Sequence, residues 1–139
     1  MTTVLRNAAI GFLLPIGAIL FVALLAGAMQ NLAPEISDRP VGSTNLLTVI
    51  QGVAAAVLFF ACGFVGPKWL KGPASVLWLL TPVAALYATA IIRSPYLYQW
   101  NPQSLGWTLF MHAPFLLPLI ATLIGYAVFS LRSASARFL

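Results

Sequence analysis

Few side chains in this sequence could do chemistry, and they are scattered. His112 is the sole histidine, Cys62 the sole cysteine, and Glu35 and Asp38 the only acids. An imidazole can ligate haem or a metal, hydrogen-bond a quinone or a lipid headgroup, or respond to protons. A bis-histidine haem needs a second histidine, and an ordinary metal site needs three or four ligands. Both are excluded within this chain. The least demanding reading of His112 is an interfacial ring bonded to a neighbouring carbonyl or to water. Cys62, in the run Phe59-Phe60-Ala61-Cys62-Gly63, has no partner for an intrachain disulfide and reads as a small hydrophobe. Arg93, Glu35 and Asp38 stand at no spacing from His112 that would build an acid–base or nucleophilic site. No catalytic, metal-binding or cofactor-binding residue is therefore assigned. A bound lipid or quinone is the ligand class left open.

Three amides accompany the histidine: Gln30, Asn31 and Gln51. With His112 they are expected at one depth, near the outer surface of a membrane. Polar groups at membrane depth are the usual pointers to function. The four are read in two ways, as a shallow outward polar patch or as ordinary interfacial side chains. Gln51 on its own reads as structural glue between helices, a bond worth about 1 kcal/mol.

The membrane itself follows from composition. Of 139 residues, 61% are hydrophobic and 6% charged, where a soluble domain carries about 25% charged residues. A surface so poor in charge needs lipid as its solvent, and the mean hydropathy of +0.98 agrees. The net charge is +5, but the basic residues stand singly in loops and tails, with no stripe for nucleic acid. They fit topological signalling and contact with anionic headgroups instead.

A membrane helix needs about 20 mostly apolar residues. Four stretches qualify, about 8–32, 46–66, 74–92 and 108–131, and none contains Asp, Glu, Lys or Arg. The first begins after Arg6 and holds Ala26-Gly27-Ala28, a pattern like a signal-peptide cleavage site. Its apolar run is longer than a signal core, so it reads as a retained span. The predicted fold is an all-α membrane domain over residues 1–139, an antiparallel up-down bundle of four transmembrane helices. Prolines 15, 82, 114 and 118 predict kinks. Thr81 is the nearest hydroxyl for a carbonyl that Pro82 frees.

One set of ends carries Arg6, Lys68, Lys71, Arg132 and Arg137, and the other carries Arg39 and Arg93. The positive-inside rule places the richer set, with both termini, in the cytoplasm of a cell bounded by a bacterial-type inner (plasma) membrane. Trp69 then falls in the inner interface belt, and Tyr96, Tyr98, Trp100 and Trp107 in the outer one. A lid formed by the third loop over a ligand is the alternative for those outer aromatics. Because lipid tails are as apolar as leucine, small residues must let the helices approach. The candidates are Ala23 with Gly27, Gly52 with Ala56, Ala84 with Ala88, and Ala121 with Gly125.

These features lead to a functional expectation of a non-catalytic accessory, assembly or scaffold subunit of a larger membrane complex. Its partners would be membrane lipids and other membrane subunits or copies of itself, and not nucleic acid. The alternative is a small oligomeric transporter, channel or lipid-binding protein.

Overall fold

A computed structural model describes residues 2–32, 42–70 and 75–136, with the side chains of 30–32, 42–48 and 75 outside the description. Among the described residues there is no strand. Four long helices follow one another: α1 (Thr2–Leu32), α2 (Gly42–Trp69), α3 (Ser75–Arg93) and α4 (Leu105–Ser135). A single 3-10 turn, Pro102–Ser104, leads into α4. Each of the four helices is long and apolar enough to cross a membrane. Without water to bond to, backbone N–H and C=O groups at that depth pair within their own helix, and this drives helix formation irrespective of local propensity.

The helices outrun the apolar stretches that announce them. α1 starts six residues before residue 8, α2 continues past Gly66 to Trp69, and α4 begins at Leu105 and not at 108. Composition marks the part apolar enough for hydrocarbon, whereas backbone hydrogen bonding carries each helix on past it. Pro67, just past the second apolar stretch, lies within α2. The Leu70 N–H still reaches the Gly66 carbonyl at 2.9 Å, spanning the proline. Trp107 accordingly belongs to the first turn of α4 and not to a loop.

α2 and α4 form the most extensive interface. Its centre is a pair of backbone contacts. A Cβ on Gly63 would collide with the Thr122 carbonyl, and one on Gly125 with the Phe60 carbonyl. Ala121, Thr122 and Gly125 are buried there. The Thr122 hydroxyl donates back to the Pro118 carbonyl at 2.8 Å, so it is satisfied within its own helix. Gly11 meets Trp78 where α1 crosses α3, and Gly66 meets Leu79 where α2 approaches α3.

Other small residues do not serve this way within the chain. Gly27 and Gly52 have nothing near the position of a Cβ, and Ala23, Ala84 and Ala88 are exposed. Ala56 is half-buried and packs against the core cluster of Ala18, Phe59, Cys62, Val83 and Ala121. Thr81 does not bond the Trp78 carbonyl that Pro82 leaves free; its hydroxyl donates to Leu77 at 2.7 Å. α1, α3 and α4 run helical on both sides of Pro15, Pro82, Pro114 and Pro118.

α1 and α4 make no close backbone approach. In the half of the bundle nearest the α3–α4 connection, the space between them is a cavity of about 280 Å³, walled by Ile19, Val22, Phe59, Leu86, Pro114 and Phe115 among others. A second cavity, about 240 Å³, shares Val22, Ala55 and Pro114 with it and extends to Gln51.

Gly63→Ala and Gly125→Ala should each destabilise the protein by about 1–3 kcal/mol, because the added methyl has no room. Gly27→Ala and Gly52→Ala, which meet nothing, should be neutral or mildly stabilising. Unfolding in mixed detergent micelles measures the difference.

Candidate functional site

Two of the polar side chains, His112 and Tyr87, meet where α3 turns into α4. His112 lies in the second turn of α4 and is 7% exposed. Its Nδ1 is hydrogen-bonded to Tyr87 Oη of α3 at 2.5 Å. Its Nε2 is buried and has no hydrogen-bond partner among the described residues. Three aromatic rings surround the imidazole: Tyr98 at 5.6 Å, Tyr87 at 5.7 Å and Trp100 at 6.2 Å between centroids. Phe115, one turn along α4, stacks on Tyr87 at 5.0 Å and meets Tyr98 edge-on at 6.0 Å.

Local chemistry in the connecting segment puts Tyr98 and Trp100 there. The Ser94 N–H continues the α3 pattern to Ala90, and a turn closed by Leu97 N–H to Ser94 O reverses the chain. Pro95 sits at the second position of that turn, where its fixed φ suits the geometry. The segment is then tied to α4. Thr108, 2% exposed, donates to the Asn101 carbonyl at 3.2 Å and accepts from the Asn101 N–H at 3.3 Å. Asn101 in turn caps the 3-10 turn, its Oδ1 accepting from Gln103 N–H at 3.0 Å. With Asn101 held at both backbone groups, Trp100 is fixed over the His112 ring.

The aromatics around the α3–α4 connection therefore divide. Tyr96 and Trp107 are 71% and 59% exposed, in keeping with an interface. Tyr98 is half-buried and faces the site. Trp100 does both, with 64% of its surface exposed and its ring against His112. Trp69 is exposed at the end of α2 and lines a separate cleft with Leu14, Phe21 and Cys62.

Of the expected polar patch, the side chains of Gln51 and His112 are described, and they lie on different faces of the bundle. Gln51 lines the 240 Å³ cavity with Phe110, Ala113 and Leu117, whereas His112 and Phe115 occupy the neighbouring face of α4, toward α3. The side chains of Gln30 and Asn31 lie outside the described residues. Tyr87, which completes the site, gave no sign in the sequence: it is one aromatic in an apolar span, and only the packing of α3 on α4 brings it to His112.

Among the described residues no three of His, Cys, Asp and Glu come together as a metal set would. The site can instead offer one ring nitrogen as a hydrogen-bonding group inside an aromatic enclosure, with an apolar cavity behind Phe115.

Tyr87→Phe leaves Nδ1 unpartnered and should cost about 1–3 kcal/mol of stability. Tyr96→Phe, at an exposed ring, should be silent in the same unfolding assay. Equal effects would mean that the Tyr87–His112 bond holds nothing in place.

Compared with known proteins, the chain matches no family model, no curated protein and no solved structure.

Proposed function

We propose that this chain is a non-catalytic multi-pass membrane protein that serves as an accessory, assembly or scaffold subunit of a larger membrane complex. In this reading it lies in a bacterial inner (plasma) membrane with both termini in the cytoplasm. The observation that supports it best is the way α1 is seated. α2 and α4 meet backbone to backbone, but α1 lines each of four clefts of the bundle. It also turns Leu13, Leu20, Phe21 and Leu24 outward. An apolar face left open by its own chain gains from neighbours outside it, since close packing is what drives association in lipid. The apolar spans carry no Asp, Glu, Lys or Arg at depth, which fits a structural role better than proton-coupled transport.

Extraction from native membranes in lipid discs, followed by mass spectrometry, should recover larger membrane subunits in fixed stoichiometry. The combined change Leu13→Ala, Leu20→Ala and Leu24→Ala should release them while the chain's own abundance holds. Recovery of a self-oligomer alone would favour the transporter, channel or lipid-binding reading.

The orientation has its own test. Reporters fused to either end should be active only in the cytoplasmic form, because Arg6, Lys68 and Arg132 mark the retained side. A periplasmic signal from either end would overturn it.

A further inference from the structure

We infer that Lys68 and Arg132 form a binding site for the phosphate of an anionic phospholipid headgroup, at the end of the bundle where α2 and α4 finish. The inference narrows the attraction of basic residues for anionic headgroups to one place on the protein, and it does not depend on the accessory role.

Both cations are gathered on one ring. Lys68 stands in the last turn of α2 and Arg132 in the last turn of α4. The Lys68 Nζ lies 5.6 Å from the centroid of Phe64, and the Arg132 guanidinium carbon lies 5.8 Å from the same centroid. Phe64 is itself held from two sides, stacked on Phe60 and met edge-on by Phe129 of α4, each at 6.2 Å between centroids. Lys68 reaches the ring from one turn along its own helix. Arg132 reaches it across the seam between the helices. A ring face attracts a cation, but two cations on one ring repel each other. Among the described residues there is no Asp or Glu to neutralise either. The two helix C-termini offset about half a charge each, which leaves the pair net positive.

Depth decides which anion fits. Lys68 and Arg132 are each the first charged residue beyond the apolar stretch of their helix, which ends at Gly66 in α2 and at Leu131 in α4. Beyond the hydrocarbon lies the polar headgroup region of a bilayer, with its phosphates. Both side chains are exposed, so a headgroup reaches them from the bilayer surface. Its acyl chains stay in the bilayer and need no cavity in the protein. A guanidinium forks onto two phosphate oxygens, and an ammonium meets a third as a point charge. The pair also selects by charge. A phosphatidylglycerol headgroup is net negative, whereas phosphatidylcholine carries its own cation toward Lys68 and Arg132. Arg93, exposed in the last turn of α3, stands at the other end of the bundle and is the control.

Native mass spectrometry of the full chain in detergent micelles tests the site. The probes are phosphatidylglycerol, phosphatidylcholine with the same acyl chains, and inorganic phosphate. Phosphatidylglycerol should bind saturably and more tightly than either of the others. Lys68→Gln and Arg132→Gln should each weaken that binding about fivefold, the effect of one cation near a lipid surface. Lys68→Arg keeps the charge and should bind as the parent does. Arg93→Gln removes a charge elsewhere and should change nothing. Equal binding of the two phospholipids would overturn the proposal. So would a loss in Arg93→Gln as large as that in Lys68→Gln, which would mean attraction to overall charge. A loss in Lys68→Arg matching that in Lys68→Gln would overturn it as well, because charge would then not be what is read. Inorganic phosphate bound as tightly as phosphatidylglycerol would assign the pair to a free anion and not to a lipid, and would also overturn it.

Discussion

The close approach of α2 and α4 at Gly63 and Gly125 is the constraint from which the remaining geometry follows. Burial of apolar surface does not hold helices together when the solvent is itself apolar, so contact has to come from backbones that can touch. The reciprocal pairing of Gly63 with Thr122 and of Gly125 with Phe60 fixes both the distance and the rotation of α4. Ala121 consequently faces α2. His112, nine residues earlier, is about two and a half helical turns away and faces the opposite side, toward α3. The histidine reaches Tyr87 because Gly125, further along the same helix, and Gly63 of α2 have set which way it points.

The same constraint leaves α1 without a close approach to α4. Among its glycines, Gly11 is tight against Trp78, toward the end remote from the His112 site. Beyond that crossing, Gly17 and Gly27 meet nothing, and α1 is separated from α4 by the cavity that Phe115 walls. The long α1–α4 diagonal and the tight α2–α4 contact are two sides of one arrangement. Drawing α4 onto α2 moves it away from α1. In a water-soluble core such a void would forfeit dispersion contacts on every lining atom. In a bilayer, chains of lipid or of a lipid-like ligand are at hand to restore them.

The four helices were legible in the sequence because hydrocarbon thickness and backbone satisfaction permit little else for apolar runs of that length. Their ends were less legible, since apolar composition gives out before the helix does. This is why Trp107 and Pro67, outside the apolar stretches, are helical. The packing residues could be read only in part. Spacing four apart picks out Gly125, but it picks out Gly27 and Ala84 equally, and it passes over Gly63, whose partner four residues before is Phe59 and not a small residue. Which glycine touches a neighbour depends on helix rotation, a pairwise property that one strand of sequence does not carry. For the same reason His112 stood out by type while Tyr87 did not.

The aromatic segment after α3 shows how one composition can do two jobs. Interface anchoring accounts for Tyr96 and Trp107, whose rings lie open to the surroundings. It does not account for Tyr98, which turns back past the end of α3 to reach Tyr87, His112 and Phe115. A free loop could not keep it there at little entropic cost. This segment is not free, because Thr108 grips Asn101 by both its N–H and its carbonyl, and Asn101 caps the turn that starts α4. The roof over His112 is thereby tied to the helix that carries His112, while the turn at Leu97 ties it to α3. α3 contributes Tyr87 from the other side. A change in the spacing of α3 and α4 would therefore act first on the Tyr87–His112 bond, and through it on which ring nitrogen bears the proton.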